Sequence, residues 1–67
     1  MTAREMLDSA MIEEFGARYI VGCVGFQAMA MAFKKMDNAR ATSILDACEK
    51  ESELHQDSII YFRKCIE

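Results

Sequence analysis

The residues with the greatest capacity for chemistry are Cys48 and His55, which lie seven positions apart with Glu51 and Ser52 between them. In a continuous helix this spacing places both side chains on one face. Thiolate and imidazole groups are zinc ligands, but zinc sites combine three or four of them at close spacings such as C-x₂₋₄-C. The chain has one histidine and no closely spaced cysteine pair. The spacing therefore argues against a metal site.

The same Cys–His pair could act as a nucleophile and its base, but that chemistry also needs an orienting group and a substrate pocket. The nearby acidic run "EKESE", residues 49–53, is typical of a solvated helix face. No phosphate-binding loop or other catalytic signature occurs in the sequence. We therefore predict a non-enzymatic protein with no catalytic residues, metal or other cofactor.

The size and cysteine content of the chain restrict its fold and its compartment. The sequence of 67 residues predicts a single domain over 1–67, and a core of that size supplies only about 3–5 kcal/mol. Cys23, Cys48 and Cys65 are odd in number and have no recognised framework spacing. The opening "MTAREMLDSAM" is too polar for a signal peptide. These features predict reduced thiols, a cytoplasmic location and stabilisation by a partner chain.

The charge distribution argues against nucleic acid as a partner. The formal net charge is −3, and the only basic cluster consists of Lys34, Lys35 and Arg40, interrupted by Asp37. Surfaces that bind phosphates usually carry more lysine and arginine than this.

The first half of the chain predicts a long helix over about 3–36. There is no proline, and Thr2 followed by Glu5 fits a capping box at the start. Aromatic and apolar residues recur at intervals of seven, which is typical of one helix face. Gly16 leaves an alternative open, because glycine there can end a short first helix.

The second half predicts a helix over about 40–66 after a tight turn near 37–40, where Asp37 or Asn38 closes one helix and caps the next. Two helices joined by so short a turn are antiparallel. The predicted fold is therefore all-α, an antiparallel two-helix hairpin completed by a partner chain or by self-association. His55 is predicted to lie on the helix contact, where it could make assembly pH-sensitive. The predicted hairpin core consists of Ile12, Phe15, Tyr19, Phe26, Met29, Phe33, Leu45, Ile59 and Phe62.

The apolar stretch "YIVGCVGFQAMAMAF", residues 19–33, is the strongest indication of function. As a helix its 15 residues span about 23 Å, less than a bilayer core of about 30 Å, so no membrane span is predicted. A single hairpin partner can cover only one side of a helix that is apolar nearly all round. We therefore predict that the uncovered side binds another protein or a second copy, through Val21, Val24, Ala28 and Met31.

The chain resembles the small co-chaperones of type III secretion needle subunits. The resemblance lies in the "MT" opening, in the basic pair before an aspartate in "FKKMD", and in the final "ESELHQDSIIYFRK". It implies a helical hairpin that binds a helical-repeat chaperone. Together the two would keep the needle subunit soluble in the cytosol. Residues 19–33 depart from the family, in which a more charged helix is expected.

Two other functions are consistent with a small helical chain. The ending "LH…YFRKCI" is loosely similar to small plasmid copy-number regulators, which are homodimeric four-helix bundles that bind RNA. Those proteins read RNA from a basic and aromatic first helix, whereas here only Arg4 and Arg18 precede Lys34. The second alternative is a small regulator that sequesters another protein by helix-in-groove contact.

Overall fold

A computed structural model describes residues 1–16 and 24–67. Over these two ranges the chain forms four helices and no strand: α1 (Ala3–Phe15), α2 (Phe26–Lys35), α3 (Asn38–Lys50) and α4 (Gln56–Cys65). The prediction of an all-α fold is confirmed. The predicted two-helix hairpin is wrong, because a helix over 3–36 would be roughly 51 Å long, whereas the longest dimension of the molecule is 26 Å.

Helix α1 begins at a capping box and ends at a glycine. The Thr2 side chain accepts a hydrogen bond from the Glu5 amide at 3.1 Å, and the Glu5 carboxylate accepts one from the Thr2 amide at 3.0 Å. The hydrogen bond from the Thr2 backbone is the main reason that the pKa of Glu5 is lowered. Gly16 ends the helix with a φ of 62°. The capping box is confirmed, and of the two predicted alternatives the break at Gly16 is the one observed.

The turn between α2 and α3 consists of Met36 and Asp37. Met36 has extended backbone, and the Asp37 side chain accepts hydrogen bonds from the amides of Ala39 and Arg40 at 3.1 and 3.3 Å. The sequence placed this turn near 37–40 with Asp37 as one of two candidate caps. Asp37 is the cap because its short carboxylate reaches amides that have no partner in the first helical turn.

The predicted continuous helix over 40–66 is wrong, because α3 ends at Lys50 and α4 begins at Gln56. The amide of Glu53 donates to the Cys48 carbonyl at 2.9 Å, and the amide of Ser52 donates to the Glu49 carbonyl at 3.3 Å. With Ser52 at a φ of 57°, this pattern is a Schellman ending.

His55 caps α4 instead of lying on the helix contact. Its Nδ1 accepts a hydrogen bond from the Asp57 amide at 3.1 Å, and 76% of its side chain is exposed. Because the chain turns between Cys48 and His55, their spacing of seven does not place them on one helix face.

The core lies between the four helices, with α1 packed against α2 and α3, and α4 packed on the other side against α2 and α3. Alanines make up much of it, and Phe33 and Phe62 are the largest fully buried side chains. The buried residues are Ala3, Leu7, Ala10, Met11, Ala30, Ala32, Phe33, Ala41, Ile44, Leu45, Cys48, Ile59 and Phe62.

Two residues predicted for the core are exposed. Ile12 is 41% exposed because α1 buries Leu7, Ala10 and Met11, and the next residue in a helix points away from such a face. Phe26 is 44% exposed because α2 begins at this residue. The other predicted core residues in the described ranges are buried or partly buried, namely Phe15, Met29, Phe33, Leu45, Ile59 and Phe62. Tyr19 lies outside those ranges.

Ion pairs on the surface join α1 to α2 and α3, and α4 to α3. Glu13 and Glu14 of α1 pair with Arg40 of α3 and Lys35 of α2. Arg63 of α4 reaches Asp46 at 2.9 Å and Glu49 at 3.1 Å on α3. The hydrogen bond from Arg40 lowers the pKa of Glu13, and those from Gln56 and Arg63 lower the pKa of Glu49.

These carboxylates make stability depend on pH in the acid range. A glutamate whose pKa is lowered in the folded state stabilises the fold at pH values above its ordinary pKa of about 4.3. This contribution is lost as the pH falls through the lowered pKa. We expect the melting temperature to be nearly constant from pH 7 to 5.5 and to fall steadily below about pH 4.5. Thermal melts followed by circular dichroism would measure this dependence.

In the Glu49→Gln variant the melting temperature should fall less at acid pH than in the wild-type chain, because the substitution removes one of these carboxylates. Glu67→Gln is the matched control, since Glu67 forms no ion pair within the described ranges. If both variants follow the wild-type curve, the pairing of Glu49 does not contribute to acid stability.

Candidate functional site

The candidate site is a surface on which the exposed sides of α2 and α4 meet. It combines apolar, aromatic and basic side chains within two adjacent helices. We call it the α2–α4 surface and define it as Phe26, Gln27, Met31, Lys34, Ile60, Tyr61 and Lys64.

The register of the two helices determines which side chains reach this surface. In α2, Ala30 and Phe33 are buried, which leaves Gln27, Met31 and Lys34 on the opposite face at spacings of four and three. Met31 is 57% exposed, the highest value for any large apolar side chain within the four helices. In α4, Ile59 and Phe62 are buried.

The exposed residues that α4 adds to the surface are Ile60 and Tyr61, which lie between the buried Ile59 and Phe62, and Lys64, which follows them. Ile60 and Tyr61 are 45% and 37% exposed, and Lys64 follows on the same side of the helix. On α2 the apolar Met31 thus has a basic neighbour, whereas on α4 the apolar residues have both basic Lys64 and acidic Asp57 at spacings of three and four.

A chain of aromatic contacts fixes the surface to the core. The ring of Phe26 lies 4.9 Å from the ring of Tyr61 and 4.9 Å from that of Phe62. Phe62 in turn lies 5.0 Å from Phe33, and these distances fall within the favourable range for aromatic pairs. The Tyr61 hydroxyl is 3.5 Å from the Gln27 side-chain oxygen. Because the exposed rings rest on buried ones, little side-chain freedom remains to be lost when a partner binds.

The charged groups around the surface differ in their pairing. Lys34 of α2 and Lys64 of α4 form no ion pair within residues 1–16 and 24–67. Lys35 pairs with Glu14 at 3.0 Å, and Arg40 pairs with Glu13. The basic cluster noted in the sequence is therefore divided, since two of its three members are paired with carboxylates of α1.

The three described partner-binding residues, Val24, Ala28 and Met31, do not form one exposed stripe. Val21 lies outside the described residues, and Val24 precedes α2 and is partly buried. Ala28 is also partly buried, whereas Met31 is exposed and belongs to the α2–α4 surface. The predicted stripe assumed a helix through Val21 and Val24, but α2 begins only at Phe26.

The contribution of α4 to the surface was missed in the sequence, although a signal for it exists. Residues 59–62 read "IIYF", and four consecutive apolar residues in a helix cannot all face the same side. Two of them must therefore be exposed or face a partner, and these are Ile60 and Tyr61.

Neither of the two cysteines that the structure describes, Cys48 and Cys65, is placed for chemistry at this surface. Cys48 is fully buried in the core. Burial, followed by the charges of Glu53 and Glu51, raises the pKa of its thiol, which disfavours the reactive thiolate. Cys65 is partly buried, and Cys23 lies outside the described residues. In the part of the chain that the structure describes, no three histidine, cysteine or acidic side chains are grouped as a metal site would require.

In the described part of the chain, two shallow grooves flank α1. One, of about 220 Å³, is lined by Met1, Met6, Ser9, Arg40, Ser43 and Ile44. The other, of about 240 Å³, is lined by Ala10, Glu13, Glu14, Ala32, Lys35, Met36 and Arg40. The serines of the first groove have no histidine beside them, and the charged groups of the second are already paired with one another.

Among residues 1–16 and 24–67, no helix is both long enough and apolar enough to cross a bilayer. Comparisons of the chain with protein-family models, with curated proteins and with solved structures found no match.

Proposed function

We propose that this chain is a non-enzymatic protein–protein interaction module that binds its partner through the α2–α4 surface. The observation that carries the proposal is the grouping of Phe26, Met31, Ile60 and Tyr61, which are 37–57% exposed and lie on two packed helices. Aromatic residues and methionine are enriched in the buried centres of protein interfaces. Each of these side chains is already about half covered, so burying the rest would contribute roughly 0.7–1.5 kcal/mol to association.

The specific form of the proposal is a cytoplasmic co-chaperone of a type III secretion needle subunit. The resemblance in "FKKMD" and "ESELHQDSIIYFRK" supports it and names a helical-repeat chaperone and the needle subunit as the partners. The resemblance also implied a hairpin of two helices, whereas the described chain has four. The α2–α4 surface is therefore assigned from this chain's own geometry and not from the family.

Protein binding is favoured over the RNA-binding alternative by the ion pairs of α1. Lys35 and Arg40 would be needed to contact phosphates, but both are already paired with glutamates. Binding RNA would require these pairs to break, and the chain carries 11 acidic residues against 8 basic ones. A protein-sequestering regulator would use the same α2–α4 surface.

The proposal can be tested by measuring partner retention in the native host with matched surface variants. Met31→Glu and Ile60→Glu each place a charge on the α2–α4 surface, and burying that charge against a partner would be unfavourable. Ile12→Glu is the control, because Ile12 is 41% exposed on α1, which does not belong to this surface. Circular dichroism would verify that the three variants fold equally well.

We expect affinity-purified wild-type chain and Ile12→Glu to retain the same partner in similar amounts. Met31→Glu and Ile60→Glu should retain at least about tenfold less, which corresponds to a loss of roughly 1.4 kcal/mol. A helical-repeat chaperone and a needle subunit among the retained proteins would support the co-chaperone form. Equal retention by all four chains would show that the α2–α4 surface is not the binding site.

A further inference from the structure

We infer that α4 pairs with α4 of a second copy of this chain, antiparallel about a two-fold axis that passes between Ile60 and Tyr61. This inference rests on the proposed function and names one partner for the α4 part of the α2–α4 surface. It depends on the order of charged and apolar residues along one side of the helix. We call that side the α4 face and define it as Asp57, Ile60, Tyr61 and Lys64.

The α4 face lies on the side of the helix opposite the core. Ile59 and Phe62 are the buried residues of α4, whereas all four residues of the α4 face are exposed. Their spacings of three and four make them neighbours on one helix surface. The ring of Phe26 lies 4.9 Å from that of Tyr61 and extends the apolar centre on one side. The face therefore has an apolar centre between an acidic end and a basic end.

The two charged ends of the α4 face are available to a second chain. Arg63, the neighbouring basic residue, is paired with two carboxylates of α3. Lys64 forms no ion pair within residues 1–16 and 24–67. The Asp57 side chain is 90% exposed, and its contact with the His55 ring at 3.8 Å is an ion pair only when that ring is protonated.

The order of residues on the α4 face is self-complementary under two-fold symmetry. A two-fold axis brings the same patch of both copies together. Asp57 and Lys64 are equally far from the point between Ile60 and Tyr61. When two copies of α4 pack antiparallel about this point, Asp57 of each copy opposes Lys64 of the other. Ile60 of each copy then opposes Tyr61 of the other. A parallel pair would instead place like charges opposite each other, which is unfavourable.

The dimer is expected to be weak. Contact centred on one helix of 10 residues buries less than the roughly 1,600 Å² of a standard interface. Each copy also carries a net charge of −3, so long-range repulsion opposes association until salt of about 0.15 M screens it. We therefore expect a Kd of about 10 µM to 1 mM. The apolar centre supplies the attraction, and the two ion pairs fix the direction and register of the helices.

The test exchanges the two charges of the α4 face and measures the Kd by sedimentation equilibrium at neutral pH. Asp57→Lys and Lys64→Asp each place like charges opposite each other at both ends of the contact, so each should raise the Kd about five- to thirtyfold. The double variant carries the same pairs with their signs exchanged and should return to within about threefold of the wild-type Kd.

Lys50→Glu is the matched control for these charge changes. Lys50 is exposed and is the last residue of α3, so its substitution reverses a charge at a helix end outside the α4 face. This variant should keep the wild-type Kd. Circular dichroism would verify that all four variants fold.

Cross-linking locates the contact in the wild-type chain and does not depend on how the variants fold. A carbodiimide condenses a carboxylate and an amine that touch each other into an amide. Asp57 and Lys64 of one copy are about 10 Å apart along the helix axis, so an amide between them forms between chains. Mass spectrometry of mixed labelled and unlabelled chains should find a labelled Asp57 peptide joined to an unlabelled Lys64 peptide.

The outcomes separate this inference from the proposed function. A chain that stays monomeric at about 1 mM, or a double variant that dimerises no better than Asp57→Lys, would show that this pairing of α4 is wrong. Loss of the host partner from Met31→Glu would still support the proposed function in that case. A dimer with the expected pattern, together with equal retention by all chains in the host, would support the pairing and contradict binding of a host partner through the α2–α4 surface.

Discussion

Replacing Phe62 by alanine is expected to unfold most of the protein at 25 °C. Phe62 is 1% exposed, and its ring contacts those of Phe26, Phe33 and Tyr61 at 4.9, 5.0 and 5.9 Å. Truncating a buried phenylalanine costs about 3–5 kcal/mol, which equals the whole stability expected from a core of this size. Urea denaturation followed by circular dichroism would measure the loss.

Ile60→Ala is the matched control for Phe62→Ala, because it truncates a neighbouring apolar residue of the same helix that is 45% exposed. We expect its free energy of unfolding to stay within about 1 kcal/mol of the wild-type value. A Phe62→Ala protein that unfolds cooperatively at a similar urea concentration would show that the aromatic contacts are not central to stability.

A second large effect is expected at Gly16, where the backbone requires glycine. Its φ of 62° and ψ of −142° lie in a region that other residues adopt at a cost of about 1–3 kcal/mol. A Cβ atom at this position would have no neighbour within 4 Å, so the cost of Gly16→Ser comes from the backbone alone. We expect a clear decrease in the urea midpoint.

Two substitutions test that explanation at other turns. Ser52 has a φ of 57°, so Ser52→Gly should raise the free energy of unfolding by about 1 kcal/mol. Gly25 has a φ of −68° and is the N-cap of α2, a position at which serine is favourable, so Gly25→Ser should not destabilise. If Gly16→Ser and Gly25→Ser have the same urea midpoint, backbone strain at Gly16 is not significant.

The ends of helices show how far local signals reach in this sequence. Thr2 and Glu5 cap α1, and Asp37 caps α3, through side chains that contact amides two or three residues away. Such interactions depend on neighbours in the sequence. The capping box was predicted correctly, and Asp37 was one of the two caps predicted for α3. The ending of α3 also uses local hydrogen bonds, but Ser52 occupies a conformation that usually indicates glycine. The sequence therefore carried no strong signal for the break between Lys50 and Gln56.

The heptad pattern explains why a hairpin was predicted in place of four helices. Cys48 and Phe62 are both buried and lie 14 residues apart, which equals two heptads. Their spacing fits one continuous stripe although the chain turns between them. Periodicity records which residues are apolar, and it does not record whether the helix between them is continuous.

By itself, the sequence determined that the chain is helical and that the first helix begins after Thr2, and it placed the turn before α3 to within a few residues, because propensity and capping act within a few residues. Only the tertiary structure decided that Ile12 faces outward and that Phe26 contacts Tyr61. It also decided that α2 and α4 together form the candidate binding surface. Phe26 and Tyr61 are 35 positions apart in the sequence, and their contact depends on how α2 and α4 pack, which no local pattern specifies.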